Sequence, residues 1–310
     1  MAEPLAAAEA ILLGRAHGPV TRGGAMAPLT SYRIGGPAGL LFEPSAGADL
    51  DALAEAVAST ALPVLIVGRG SNMLVSDRGF PGIAVRLGAG FRWARVEGSA
   101  LLSGAAMPLP ALSSLAMRGS LAGLEFAVAI PASLGGAVRM NAGAHGREMR
   151  DVVERVTVFD VGRSASEEVE ASAVGFAYRE TALPAGAIVT AARLGLRSGE
   201  HDAIVAGMNE AKEWRRRTQP LNLPNGGSVF RNPGVEAAGS IIERVCGKGM
   251  RVGGARISEV HANFIVTEPG ARADHVYSLM RRIQRMVAED TGIDLQPELK
   301  LMGEFEEVDG

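Results

Sequence analysis

Two stretches of small residues, VGRGSNMLVSD at 67–77 and IPASLGGAVRMNAGAHG at 130–146, constrain the chain more than any other feature. The first follows LPVLIVG (62–68), an apolar, β-branched run that reads as a buried strand ending on glycine. A turn of this kind exposes backbone N–H groups, and its missing side chains let an anion approach the main chain. Close packing of a helix against a sheet asks for the same small residues, so one such loop decides little. Two of them, each carrying Ser or Asn, point to a long diphosphate ligand gripped at two places, and a dinucleotide is the natural candidate. The GxxxxGK[ST] lysine of a P-loop is missing, and GRGSNM lacks the third glycine of the common dinucleotide fingerprint.

The whole chain shares this bias. It has 40 glycines in 310 residues, nearly twice the usual share of roughly 7%, which implies many sharp turns or close backbone contacts. Charge excludes other classes: 31 Lys and Arg face 34 Asp and Glu, so no global field draws the chain to nucleic acid or an anionic membrane. Aromatic residues make up 5% and are not interleaved with basic ones as a base-stacking platform would be. The single cysteine, Cys246, excludes an internal disulfide and a cysteine-based zinc cage. No metal site is expected, and a reducing compartment fits. The first residues, MAEPLAAAEAILLGRAHG, hold Glu3 and Glu9 and only a short apolar run, unlike a signal peptide or a membrane span. A cytoplasmic protein is expected.

Strand and helix signals alternate along the chain. DLDALAEAVAST (49–60) spaces Leu50, Leu53 and Val57 as one helical face, and IAVRL (83–87) reads as a second strand. A helix is predicted to start near Pro108 or Pro110, and VVERVTVF (152–159) alternates as a half-buried strand does. SGEHDAIVAGMNEAKEWRRRTQP reads as a helix closed by Pro220, and VGGARISEVHANFIVTEPG as one or two strands. In ARADHVYSLMRRIQRMVAEDTG, Val276, Leu279, Met280, Ile283 and Val287 form an apolar stripe opposite arginines. The reading is an N-terminal segment (1–29), a mixed α/β part (30–199) and a smaller α+β part (200–310).

NGGSVFRNPG (225–234) crowds a hydroxyl, a guanidinium and a carboxamide into one loop, more chemistry than a turn requires. With TSYRIGGPA (30–38), VGRGSNMLVSD, GLEFAVAIPASLGGAVRMNAGAHG (123–146), YRET (178–181), GGSVFRNP (226–233), KGMRVGGARISEVHANFIV (248–266) and QPELKLMG (296–303), it forms an ordered set of motifs. In that order they resemble the UDP-N-acetylenolpyruvoylglucosamine reductases, the MurB flavoenzymes of peptidoglycan synthesis. The compact length is similar to the shorter type of that family.

The resemblance implies an α+β fold: a two-part FAD-binding domain of the vanillyl-alcohol-oxidase (PCMH) type plus a smaller α+β substrate-binding domain. It implies FAD and NADPH as cofactors and reduction of the enolpyruvyl ether of a UDP-sugar to UDP-N-acetylmuramate. FAD contacts are then expected at Gly68, Arg69, Gly70, Ser71, Asn72 and Met73, and at Ile130, Pro131, Ser133, Gly135, Gly136, Asn141 and Gly143. Arg179 and Glu298 match the family residues at the carboxylate end of the substrate, and Ser228 matches its proton donor. Substrate contacts are expected at Tyr178, Arg216, Arg231, Asn232 and Asn263. Two of the three arginines 215–217 have a plainer use, facing the negative end of their helix. His261 either orients a neighbour or is a satisfied buried histidine.

The chain departs from the family pattern at Ala132, where glycine is usual, at Thr181, at Arg231 in RNP, and at Thr267. Ala132 raises the question of whether its turn tolerates a Cβ. Two other functions fit a flavin fold: an oxidoreductase with a different substrate, and a nucleotide-sugar-binding protein without catalysis. Arg179, Ser228 and Glu298 together speak against the second.

Overall fold

The computed structural model describes residues 2–234 and 236–308. Its contacts group the chain into two units built from discontinuous segments rather than dividing it near residue 200. The first unit holds the residues up to Arg22, Leu40–Arg69 and Gly82–Arg215; the second holds Gly23–Gly39, Gly70–Pro81 and the chain from Arg216 on.

In the first unit the alternating VVERVTVF segment becomes the strand Val153–Asp160. It lies in a five-stranded antiparallel sheet ordered Ala165–Glu170, Val153–Asp160, Ala187–Gly195, Ala100–Gly104, Ala94–Glu97. The predicted helix runs Leu109–Arg118, with Pro108 at its N-cap, and buries Leu109, Leu112, Ser113 and Ala116, the spacing of one helical face. Leu109, Leu112 and Ala116 share a core with Leu134, Val138, Val156, Val189 and Leu194, so the sheet carries both this helix and the short one at Leu134–Arg139.

A second core of the same unit lies under the helices Ala2–Arg15 and Gly47–Thr60, where Leu12, Leu50 and Leu53 meet Leu40, Phe42, Ile83 and Val85. Beside it, Val64–Ile66 pairs in parallel with Ile83–Val85, so the first glycine loop leaves a covered strand. The helix His201–Thr218 buries Ile204, Met208 and Ala211 against Ala122 and Val128.

In the second unit the predicted stripe holds: Val276, Leu279, Met280, Ile283 and Val287 are buried on the helix Ala273–Thr291. They share a core with Ile241 and Ile242 of the helix Ala238–Val245 and with a three-stranded antiparallel sheet, Arg251–Val252, Ala255–Ile257 and Ile265–Thr267. The segment Gly70–Pro81 joins this unit through backbone and carboxylate bonds. Met73–Val75 pairs in parallel with Lys300–Met302. The two oxygens of Asp77 accept the amides of Ala273 and Asp274 at 2.9 and 3.0 Å. A carboxylate there satisfies two orphan N–H groups at the positive end of the helix dipole.

Asp49 plays a similar part in the first unit. It is fully buried, yet its carboxylate accepts the amides of His17, Gly18, Ser45 and Ala46 and the Ser45 hydroxyl, at 2.7–3.3 Å. Burial alone would raise its pKa, but the donors of His17, Ser45 and Ala46 outweigh it and hold the carboxyl at about 2. A depressed folded-state pKa contributes stability above the ordinary carboxylate range that is lost as pH falls through it. Asp49→Asn is therefore expected to cost about 2–3 kcal/mol at neutral pH. The difference from the unmutated protein in urea unfolding should shrink as pH falls from about 4 to about 2. A difference that stays constant over that window would contradict this account of Asp49.

Candidate active site

The first glycine loop is shared between the units, with Gly68 and Arg69 in the first and Gly70 to Met73 in the second. In the first unit it meets the second loop at one point. A Cβ added to Gly68 would lie 2.7 Å from the Ser133 hydroxyl oxygen, so a side chain there would force that hydroxyl to turn aside. Gly136 faces the same hydroxyl, its added Cβ lying 3.4 Å away.

Other residues of the second loop serve the fold. The amides of Leu134 and Gly135 donate to the carbonyls of Met107 and Ala105, each at 2.9 Å. A Cβ on Gly135 would press on Ala105 at 3.0 Å, the close packing of helix on sheet that small residues also serve. A Cβ on Gly143 would crowd Arg147 and Glu148 across the hairpin formed by Gly143–Ala144 and Arg147–Glu148. Ala132 is half-buried against the core and is not among the left-handed positions, so its turn does tolerate a Cβ. Ile130 is half-buried and Pro131 exposed beside it. Arg215 donates to the Ala129 carbonyl, next to this loop. Its Nε is buried with no hydrogen-bond partner, an orphan donor that suits an anionic group at the loop. Burial lowers the Arg215 pKa.

The YRET motif is a tight turn in the same unit. Tyr178 is exposed, not a core residue, and the Arg179 guanidinium stands 4.8 Å over its ring, a cation–π distance.

In the second unit the remainder of the first loop lies among the other chemistry-bearing residues. Gly70 adopts φ +62°, and a Cβ there would run into the Leu29 carbonyl. Ser31 links the two loops: its amide donates to the Gly70 carbonyl at 3.0 Å, and its hydroxyl lies 2.5 Å from the Asn225 carbonyl oxygen. A Cβ on Gly227 would lie 3.6 Å from the Ser71 carbonyl oxygen. Asn72 donates from its carboxamide to the Glu298 carbonyl at 3.3 Å, and its own carbonyl accepts the Lys300 amide. Met73 is buried at the start of its strand.

Ser228 is half-buried in a segment stitched on both sides. On one side, Val229 donates to the Asn263 carbonyl at 2.9 Å, and the Asn263 carboxamide accepts the Phe230 amide at 2.9 Å and donates to the Phe230 carbonyl at 2.8 Å. On the other, the Val229 carbonyl accepts the Glu298 amide at 2.8 Å, and Arg231 donates to the Gln296 carbonyl at 2.8 Å. Gly226 is required beneath: a Cβ there would run into the ring of buried Tyr32.

Two expected substrate contacts thus have internal work. Asn263 is buried with its carboxamide committed to Phe230, and the carboxamide oxygen of Asn232 accepts the Ala238 amide at 3.0 Å, at the start of a helix. His261 does orient a neighbour: its Nδ1 accepts the Asn263 amide at 3.1 Å. Burial first, then Lys248, lowers its pKa and keeps the ring neutral for that role. Arg216 is exposed and Arg231 half-buried. Among the described residues no cluster of His, Cys, Asp or Glu could hold a metal ion, and no helix is long and apolar enough to cross a membrane.

Residues 38–163 match the family model described as FAD binding domain, and residues 219–302 match UDP-N-acetylenolpyruvoylglucosamine reductase, C-terminal domain. The UDP-N-acetylenolpyruvoylglucosamine reductase of Anaeromyxobacter sp. strain Fw109-5 is 43% identical over 295 residues, covering 95% of this chain and 92% of the relative. The chain belongs to the UDP-N-acetylenolpyruvoylglucosamine reductase family. The reductase of Heliobacterium modesticaldum is likewise 43% identical, over 91% of this chain and 90% of its own. The crystal structure of the reductase (MurB) from Thermus caldophilus matches with a TM-score of 0.81 and 36% identity, over 92% of this chain and all of that one. A more distant likeness, to wild-type Phl p 4.0202, a glucose dehydrogenase, has a TM-score of 0.50 at 14% identity and concerns the fold alone. The fold is that of the reductase family, a PCMH-type FAD-binding part with an α+β part.

The close approach of Gly68 to Ser133 and the orphan donor on Arg215 fit the FAD of this family. Gly68→Ala is expected to weaken FAD binding about tenfold or more, the range of overpacking costs of 1–3 kcal/mol. Adding Ser133→Gly removes the clash but also the Ser133 hydroxyl, so it should recover only part of the loss, with flavin absorbance of the dialysed protein as the measure. Equal flavin retention in all three proteins would show that this contact does not shape the cofactor site. Gly70 and Gly135 are poorer probes, because substitution there damages the fold itself.

Proposed function

We propose that the chain uses NADPH and FAD to reduce the enolpyruvyl ether of UDP-N-acetyl-3-O-(1-carboxyvinyl)-glucosamine to UDP-N-acetylmuramate, a step of peptidoglycan synthesis. FAD held at residues such as Gly68 and Ser133 would supply hydride-transfer chemistry, with NADPH as the reductant. The chain's residues have the remaining work. When hydride reaches the terminal carbon, negative charge develops on the neighbouring carbon and its carboxylate, and fixed donors must meet that charge where it forms.

Arg179 has the planar, permanently charged fork that holds a carboxylate through two bonds. Glu298 acts with it at the same end of the substrate. Ser228 holds the proton that the charged carbon finally takes. A hydroxyl is a weak acid, so position must compensate for acidity. The observation that carries this reading is the bonding of Val229 to the amide of Glu298, which sets the Ser228 and Glu298 segments side by side through protein atoms.

The nucleotide sugar is expected to meet Tyr178, Arg216 and Arg231, whose exposed or half-buried guanidinium and phenol groups suit a diphosphate and its sugar. Of the FAD contacts, Gly68, Ser133 and Gly136 have the strongest support in the packing. We place the reaction in the cytoplasm, with no nucleic-acid or membrane partner, on the balanced charge and the single cysteine.

Ser228→Ala is expected to keep FAD, to be reduced by NADPH at the normal rate and to bind the nucleotide sugar. Its turnover should fall by more than the roughly 10²–10⁴-fold usual for an acid–base group. Ser228→Cys should recover part of the rate, since a thiol is the better acid. Release of UDP-N-acetylmuramate by the alanine variant at the normal rate would assign Ser228 to its turn alone.

A further inference from the structure

Arg179 stands at a backbone position where turn geometry favours glycine. Ala177 and Glu180 form an antiparallel bridge, the Ala177 amide donating to Glu180 at 3.0 Å and the Glu180 amide to Ala177 at 3.3 Å. Tyr178 and Arg179 are left as a two-residue turn, with φ +61° at Arg179. Turns with positive φ at that residue select Gly or Asn, and a bulky residue is held there only when its surroundings enforce it.

The enforcement comes from the end of the second glycine loop. Asn141 is fully buried and has itself a positive φ, +40°, which asparagine tolerates better than most residues. Its Nδ2 donates to the Ala177 carbonyl and to Glu148 Oε2, each at 2.9 Å, and its Oδ1 accepts the Arg150 amide at 3.0 Å. Both donors and an acceptor of the carboxamide are therefore used inside the unit. A second tie runs beside it: the Thr181 hydroxyl donates to the Arg139 carbonyl at 3.2 Å, and the Arg139 guanidinium donates to the Pro184 carbonyl at 2.8 Å. The turn is thus anchored at its base on one side and just beyond it on the other.

The chemistry of the anchor is specific to asparagine. Aspartate would lose both donors and set a second carboxylate against Glu148. Glutamine would force an extra methylene into a filled site.

We propose that Asn141 is a positioning residue for Arg179 and makes no contact with FAD: its carboxamide fixes the base of the turn and so the direction in which the guanidinium leaves the chain. The proposal rests on the reading of Arg179 as the group that meets the substrate carboxylate. An error of about 1 Å in such a group costs on the order of 10²-fold in rate.

Asn141→Gly removes the carboxamide and keeps a backbone that accepts positive φ; Thr181→Val removes the second tie without opening a buried polar site. Both holoenzymes are expected to retain FAD and to be bleached by NADPH at the normal rate. Re-colouring of the reduced flavin by the enolpyruvyl UDP-sugar should slow on the order of 10²-fold in Asn141→Gly and several-fold in Thr181→Val. In an Arg179→Lys background each should add little, since the group being positioned has already been altered. Amide hydrogen exchange at Glu180 should quicken in both variants whatever the turnover.

Equal slowing of both half-reactions, full additivity with Arg179→Lys, or an unchanged re-colouring rate would each overturn the proposal. If Asn141→Gly does not fold, the same comparisons on Thr181→Val decide it. The underlying reading fails in a different way: Arg179→Lys alone then leaves re-colouring at the normal rate, while Glu180 exchange still responds to Asn141→Gly.

Discussion

The second unit depends on one side chain imitating a strand. The buried carboxamide of Asn263 both donates to and accepts from the backbone of Phe230, where a neighbouring strand would otherwise have to stand. An unpaired buried N–H or C=O costs about 1–3 kcal/mol, so without Asn263 the segment 228–231 could not stay buried as it does. With Phe230 satisfied, Val229 and Phe230 turn their apolar side chains into the core and leave Ser228 half-exposed. The carbonyl of Val229 then holds the amide of Glu298. The two residues assigned to the reacting end of the substrate inherit their position from hydrogen bonds that none of the substrate's atoms supply.

Glycine extends the same logic. The excess over the average composition reads as freedom to turn, and at Gly70 and Gly227 it does provide left-handed backbone. Elsewhere the missing side chain is used for approach. Gly226 makes room for the Tyr32 ring, Gly68 for Ser133, and Gly135 for Ala105. Close contacts of this kind rigidify a loop, which suits sites whose function depends on placement more than on acidity.

Much of this was legible in the sequence where the signal is local. The stripe from Val276 to Val287 predicted its helix because helical period and burial coincide, and LPVLIVG and VVERVTVF announced their strands by β-branching and alternation. The assembly of the second unit from discontinuous segments was not legible. It rests on Asp77 capping a helix nearly two hundred residues later and on Ser31 joining Gly70 to Asn225, contacts with no local pattern. Asparagines are the least legible residues in this sequence. In a loop an asparagine looks like a ligand donor, because its partner is not in the neighbouring sequence. The structure uses the carboxamides of Asn141 and Asn263 within the fold and the oxygen of Asn232 as a helix cap.

The Ser228 segment is held by the protein's own hydrogen bonds. Amide hydrogen exchange on the flavin-free and the flavin-loaded protein tests it most directly, because it reads the opening of individual backbone bonds. The amides of Phe230, Arg231 and Glu298 are predicted to be strongly protected in both forms, and to nearly the same extent. Exchange of these three at the rate of an unfolded peptide in the flavin-free protein, with protection gained only on loading, would contradict the account.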